Sequence, residues 1–279
     1  MTMAGKVAVV TGANTGIGRV TAVELARQGA QVLLACRSAE RCAPVIREIA
    51  SVGGSSEHIP LDLADLGGVQ RCSERIAGRV PRIDLLVNNA GLAGKRGLSV
   101  QGFELAFAVN HLGHFLLTER LRPRLLASAS PRVVVVSSNA HYSCRDLALD
   151  AVRSKATLRG AFPAYARSKA ANVLFCAELA RREPAIASMS LHPGVVHTEI
   201  WRQIPAPVRW WVTRKMISPE EGAKTSLHCA LDPSVTSGGY YDECALREPS
   251  ELVQNQELAR ELWERSEQWV RAPAAARSA

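Results

Sequence analysis

Short apolar runs alternate along the chain with segments in which apolar residues recur every three or four positions. The runs have the length and β-branched content of strands buried on both faces, and the segments have the period of amphipathic helices. The pattern predicts strands over 6–11, 31–36, 57–61, 83–88, 132–137 and 187–192, with a last short one over 238–242. Helices are predicted over 19–28, 39–51, 67–79, 103–126, 164–182 and 257–270. Strands and helices that take turns in this way build an α/β, doubly wound parallel sheet with helices on both faces. No linker or break in composition interrupts residues 1–270, so a single domain is expected, with 195–218 as a substrate loop and 271–279 as a disordered tail.

Between the first strand and the first helix lie Gly12, Asn14, Thr15, Gly16, Ile17 and Gly18. A glycine turn that opens a helix places backbone N–H groups and the positive end of the helix dipole where a pyrophosphate can sit. The expected fold is therefore of the Rossmann type, with a dinucleotide across the carboxyl edge of the sheet. At the end of the second strand such folds read the adenosine ribose, and a carboxylate there would repel a 2′-phosphate. This chain instead has Cys36 followed by Arg37, a guanidinium suited to phosphate, so NADP(H) is expected in preference to NAD(H). Arg19 and Arg41 are candidates to assist.

Tyr165 and Lys169, four residues apart, share one face of a predicted helix. An ammonium beside a phenol favours the phenolate, which is expected to bring Tyr165 below its ordinary value of ~10 and fit it to exchange protons.

Composition narrows the alternatives. The 279 residues are 47% hydrophobic and 22% charged, enough to bury a sizeable core. The net charge of +8 comes mostly from scattered arginines, which reads as a solvated surface, and no nucleic-acid partner is expected. Seven cysteines without a Cys-x-x-Cys suit a reducing cytosol and argue against a disulfide framework or a zinc site. No apolar run approaches the ~18 residues of a membrane span. The first strand also begins within a few residues of Met1, so a soluble, cytoplasmic protein is expected.

The motifs together resemble the short-chain dehydrogenase/reductases over essentially the whole chain. They are Thr-Gly-x-x-x-Gly-Ile-Gly at 11–18, Asp62 after the third strand, and Asn88-Asn89-Ala90-Gly91 after the fourth. Asn110, Ser138, Tyr165-x-x-x-Lys169 and Pro193-Gly194 follow in the same order. The stretches Leu-Leu-Ala-Cys-Arg (33–37), Val-Asn-His-Leu-Gly-His-Phe-Leu-Leu-Thr (109–118) and Ser-Leu-His-Cys-Ala-Leu (226–231) are similar to the retinol dehydrogenase-like branch. Microsomal members of that branch carry an N-terminal anchor that these residues do not resemble.

The resemblance implies an oxidoreductase interconverting an apolar aldehyde or ketone and its alcohol, with retinal, a lipid aldehyde and a steroid all compatible. The other reading is a sensor or scaffold that binds NADP(H) without catalysis. Tyr165 would be the acid or base, and Lys169 would lower its pKa and hold the nicotinamide ribose. Ser138 would donate to the substrate oxygen, and Asn110 would hold a water that links Lys169 to solvent. Asp62 and Leu63 are expected at the adenine, with an N-cap role for Asp62 equally open. Asn89, Ala90 and Gly91 are expected beside the cofactor, and Pro193, Gly194, Val195 and Thr198 along its nicotinamide end. His141 is a candidate to line the substrate pocket. Trp201 and Trp210, in a Trp- and Arg-rich segment, are candidates for a lid, with weak contact to a membrane surface as a second use. His111 and His114 share a helix face but lack a third ligand, so packing is expected and no metal. The resemblance allows a homo-oligomer or a monomer.

Overall fold

A computed structural model describes residues 2–157, 160–195 and 216–271. Strands β1 (Val7–Thr11), β2 (Gln31–Cys36), β3 (Ser55–Pro60), β4 (Leu85–Asn88), β5 (Arg132–Val136), β6 (Ala187–His192), β7 (Tyr240–Asp242) and β8 (Ala245–Arg247) form one sheet. Its order is β3-β2-β1-β4-β5-β6-β7-β8, parallel throughout except for antiparallel β8. The helices are α1 (Gly16–Arg27), α2 (Ala39–Ser51), α3 (Leu66–Arg79), α4 (Leu105–Phe107), α5 (Gly113–Leu126), α6 (Ala161–Arg182), α7 (Pro219–Leu231), α8 (Glu251–Gln254) and α9 (Gln256–Arg271).

Alternation along each strand divides the core in two. Val7, Val9, Leu33, Leu86, Val133 and Val135 face α3, α5, α6 and α9. Ala8, Val10, Val32, Leu34, Val87 and Val134 face α1, α2 and α7. Every residue of β1, β4 and β5 is buried, which is why these strands read as continuous apolar runs. Trp263 and Trp269 of α9 pack with Phe103, Phe107, Phe115 and Phe175 and so anchor α9 to the first face. His111 sits inside the same cluster, where burial takes it down to about 3, so it is neutral packing material as expected. All seven cysteines are free and six are buried. No helix among the described residues is long and apolar enough to cross a membrane.

Several boundaries differ from those read in the sequence. Helix α1 starts at Gly16 rather than at 19. The long helix expected over 103–126 is broken at its start: α4 and α5 are joined by a π-helical turn over Ala108–Leu112. Such a turn inserts one residue into the hydrogen-bond ladder and re-aims what it carries, here Asn110 and His111. Helix α7 was not anticipated, although Ser218 caps it through Glu221 N and Pro219 opens it. Residues 196–215 of the expected substrate loop, and 272–279 of the expected tail, lie outside the described residues; at the loop's ends, Ile217 N donates to Val195 O at 2.9 Å.

Candidate active site

The sheet order reverses between β1 and β4, and at their carboxyl ends a cavity of about 700 Å³ opens. That is where an open α/β sheet leaves a crevice for a ligand. Gly12, Asn14, Thr15, Gly16, Ile17 and Gly18 line one end. Gly12 and Gly16 have φ of +66° and +56°, which a side chain would oppose. A Cβ on Gly18 would stand 2.3 Å from Asn89 Nδ2 and 2.5 Å from Gly12 O, so only glycine lets α1 approach this closely. Thr15, at the N-cap of α1, offers its amides no side-chain hydrogen bond. A glycine turn at a positive helix end, opening on a cavity of this size, fits a dinucleotide pyrophosphate.

Arg37 and Arg41 line the same cavity beyond Cys36, and Arg37 is exposed. Arg19 is engaged elsewhere, paired with Glu48 at 2.7 Å. Asp62 and Leu63 line the cavity from the end of β3. The N-cap role left open for Asp62 belongs to Asp65, whose carboxylate accepts from Gly67 N at 3.0 Å. Asp62 instead accepts from Ala64 N at 3.0 Å, which fixes the strand-end turn.

A buried knot that the sequence reading missed holds this end together. Thr11 Oγ1 accepts from Asn89 N and Ala90 N, each at 2.9 Å, and lies 2.9 Å from His114 Nε2. His114 Nδ1 is 3.0 Å from Asn110 O, a carbonyl that can only accept. The His114 proton therefore sits on Nδ1, and Thr11 donates to Nε2. Burial takes His114 down to about 4, consistent with this neutral form. Asn89 Nδ2 also donates to Thr11 O at 2.8 Å, so Asn89 shapes its turn as well as lining the cavity beside Ala90 and Gly91.

Ser138, Tyr165 and Lys169 meet at the other end of the cavity. Ser137 hands its hydroxyl to Lys169 O at 2.7 Å, whereas Ser138 Oγ accepts from Ala140 N at 3.2 Å and lines the cavity with Tyr165. Lys169 is buried, and its Nζ donates to Val136 O at 2.9 Å. It lies 5.7 Å from the centre of the Tyr165 ring. Burial takes the lysine from its ordinary 10.5 down to about 8. The expected depression of Tyr165 is not what this geometry produces: burial raises the phenol, opposed by Ser138, because the ammonium is spent on a carbonyl rather than on the phenol oxygen. Asn110, aimed by the π turn, donates to Leu92 O at 3.0 Å and Ser168 Oγ at 2.9 Å and accepts from Leu92 N at 2.9 Å. It frames the wall next to Gly91, where a Cβ would meet Asn110 Oδ1 at 3.4 Å and Lys169 Nζ at 3.5 Å.

His141 does not line the cavity. It is fully buried, with Nδ1 2.7 Å from Ser138 O and Nε2 accepting from Ser250 N at 3.2 Å. It braces the turn that carries Ser138, because the 3₁₀ turn at Asn139–Ser143 points it inward. Pro193, Gly194 and Val195 do line the cavity, with Gly194 at φ +82°. Thr198, Trp201 and Trp210 lie outside the described residues. His192, at the end of β6, is a lining residue that the sequence reading passed over; its Nδ1 is buried without a partner among the described residues.

Comparisons with known proteins agree with this arrangement. The sequence profile described as "short chain dehydrogenase" matches residues 6–147. Retinol dehydrogenase 11 of Homo sapiens is 40% identical over 269 residues, covering 93% of this chain and 84% of its own. The crystal structure of an uncharacterised protein from Mycobacterium paratuberculosis aligns with a TM-score of 0.79 at 33% identity, over 98% of this chain and 96% of that one. A Beutenbergia cavernae protein described as an NAD(P)-dependent gluconate 5-dehydrogenase, solved with NADP bound, aligns with a TM-score of 0.71 at 30% identity, over 87% and 96%. The chain thus belongs to the short-chain dehydrogenase/reductases, NAD(P)-dependent oxidoreductases acting on CH–OH groups, and within them is similar to the retinol dehydrogenases.

Proposed function

We propose that the protein is an NADP(H)-dependent reductase and dehydrogenase that interconverts an apolar aldehyde or ketone and its alcohol, with Tyr165 as the acid and base. The observation that carries this reading is the meeting of Ser138, Tyr165 and Lys169 at one end of a cavity whose other end holds the glycine turn and Arg37. When bound, the nicotinamide supplies or accepts the hydride. Ser138 donates to the substrate oxygen and steadies charge that develops there. In reduction Tyr165 gives its phenolic proton to that oxygen, and in oxidation it takes it back. Lys169, which donates to Val136 O at the cavity wall, holds the nicotinamide ribose and turns to the phenolate left after transfer. Asn110 fixes the wall they share through Leu92 and Ser168. NADP(H) is preferred because Arg37, rather than a carboxylate, follows β2, and a related Beutenbergia cavernae protein is solved with NADP bound. The apolar lining residues Leu92, Ala93, Leu105 and Val109 suit an apolar substrate.

The test is NADPH oxidation by the purified protein across a panel of aldehydes and ketones, with Tyr165→Phe beside it. Turnover of apolar carbonyls is expected, with a fall of roughly 10²–10⁴-fold in the variant and NADPH affinity little changed. Equal turnover in Tyr165→Phe would remove the tyrosine from its role.

A further inference from the structure

Most large apolar side chains that stand in water, such as Leu126 and Leu246, lie away from the cavity. Phe162 and Val195 are different: they are 59% and 37% exposed, and both line it. Phe162 occupies the first turn of α6, three residues before Tyr165, so the two rings share a helix face with Phe162 one turn nearer the helix start. Side chains on a helix lean toward its N-terminus, which carries the Phe162 ring outward from the reacting hydroxyls. Phe162 has no aromatic partner among the described residues, unlike Phe103, Phe107, Phe115 and Phe175, which the core absorbs. Val195 stands on the turn after β6, tied to Ile217 N.

We propose that Phe162, with Val195, is the wall along which the apolar tail of the substrate leaves the cavity, and that it sets the enzyme's preference for long-chain carbonyls. The proposal rests on the carbonyl–alcohol reading given above. The carbonyl is held by Ser138 and Tyr165, and the tail is read by area alone, since neither wall residue offers a hydrogen bond. Selection by an apolar wall is graded: each methylene taken out of water is worth about 0.8 kcal/mol, or about fourfold in the specificity constant. Short aldehydes end before the wall and are blind to it.

The experiment measures kcat/KM with NADPH for straight-chain aldehydes from butanal to dodecanal, in the wild type, Phe162→Ala and Phe162→Leu. The wild-type value is expected to climb with chain length by up to about fourfold per methylene and then level off. Phe162→Ala should flatten the climb while leaving butanal turnover and NADPH affinity as in the wild type. Phe162→Leu, which keeps an apolar wall, should retain most of the climb. A Phe162→Ala series parallel to the wild type would overturn the proposal. So would a loss already complete at butanal, which would make Phe162 a support for the Tyr165 helix. A flat wild-type series with measurable turnover would remove the tail site alone. No turnover by a protein that binds NADPH would remove the underlying reaction and the tail site with it.

Discussion

At the scale of single residues, Lys169 carries a cost in stability. Its ammonium is buried, and burial lowers it from 10.5 to about 8, so the folded protein holds this proton less firmly than the unfolded chain. Between those two pH values the unfolded state binds more protons, and stability therefore rises with pH; below about 8 the whole penalty is present. At 1.36 kcal/mol per pH unit the penalty is of the order of 3 kcal/mol. Replacing the ammonium need not orphan its acceptor, because Asn172 Nδ2 also donates to Val136 O at 3.2 Å. Lys169→Met is accordingly expected to be inactive yet more stable than the wild type, by about 1–3 kcal/mol at pH 7 and by less at pH 10. Urea denaturation of both proteins without cofactor at the two pH values checks this. A variant less stable at pH 7 would mean that the ammonium is better satisfied than its burial implies. The identity of Tyr165, Lys169 and Ser138 was legible in the sequence because a motif fixes residue types and order. The protonation balance was not, since it depends on where Nζ points, and Val136 O is a partner no spacing rule names. His141 failed for a related reason: proximity in sequence to Ser138 did not reveal which way the 3₁₀ turn would aim it.

At the scale of elements, three pieces of chain distant in sequence converge on Thr11. Its hydroxyl joins β1 to the turn after β4 and, through His114, to the π turn that carries Asn110. Thr11→Val keeps the shape and removes the hydroxyl, leaving Ala90 N and one imidazole nitrogen without their partner, while Asn89 N keeps Val87 O at 3.0 Å. An unsatisfied buried group costs about 1–3 kcal/mol, partly relieved by relaxation, so a loss of roughly 2–4 kcal/mol is expected. Thr11→Ser keeps the hydroxyl and should lose about 1 kcal/mol, the value of one buried methyl. Denaturant midpoints of the three proteins decide it. A Thr11→Val midpoint at the wild-type position would show that the knot contributes nothing net. The strands were readable because full burial makes each an unbroken apolar run, and the helices because one face repeats. The π turn was not readable, since a single extra residue leaves the apolar spacing of 103–126 almost unchanged. Helix α7 was readable and overlooked: Ser218-Pro219-Glu220-Glu221 is a capping sequence with a proline in the first turn. β8 is three residues long with only one not exposed, and it has no pattern to find.

At the scale of the whole molecule, the alternation of strands and helices implied a parallel sheet but not its order. That order matters because the reversal between β1 and β4 is what opens the cavity. A ligand lying there would meet β2 and the turn after β1 on one side and β5, β6 and the turn after β4 on the other, together with α1 and α6. Binding should therefore stabilise the single domain as one unit rather than a local loop. At a concentration a hundredfold above Kd a ligand adds about 2.7 kcal/mol. For a domain of this size each kcal/mol moves Tm by roughly 2–4 °C, so NADPH is expected to raise Tm by roughly 5–10 °C. NADH at the same concentration should give a clearly smaller rise, because it lacks the phosphate that Arg37 would meet. Arg37→Asp should then reverse the order, since a carboxylate repels the 2′-phosphate and can bond a 2′-hydroxyl. The charge-assisted contact is worth about 1.5–3 kcal/mol, so the NADPH shift should fall by several degrees in the variant. Thermal melts of the two proteins with each nucleotide provide the comparison. Equal shifts with NADPH and NADH in the wild type would show that the phosphate is not read at all. An unchanged order in Arg37→Asp would move the reading to Arg41, the other guanidinium that lines the cavity among the described residues.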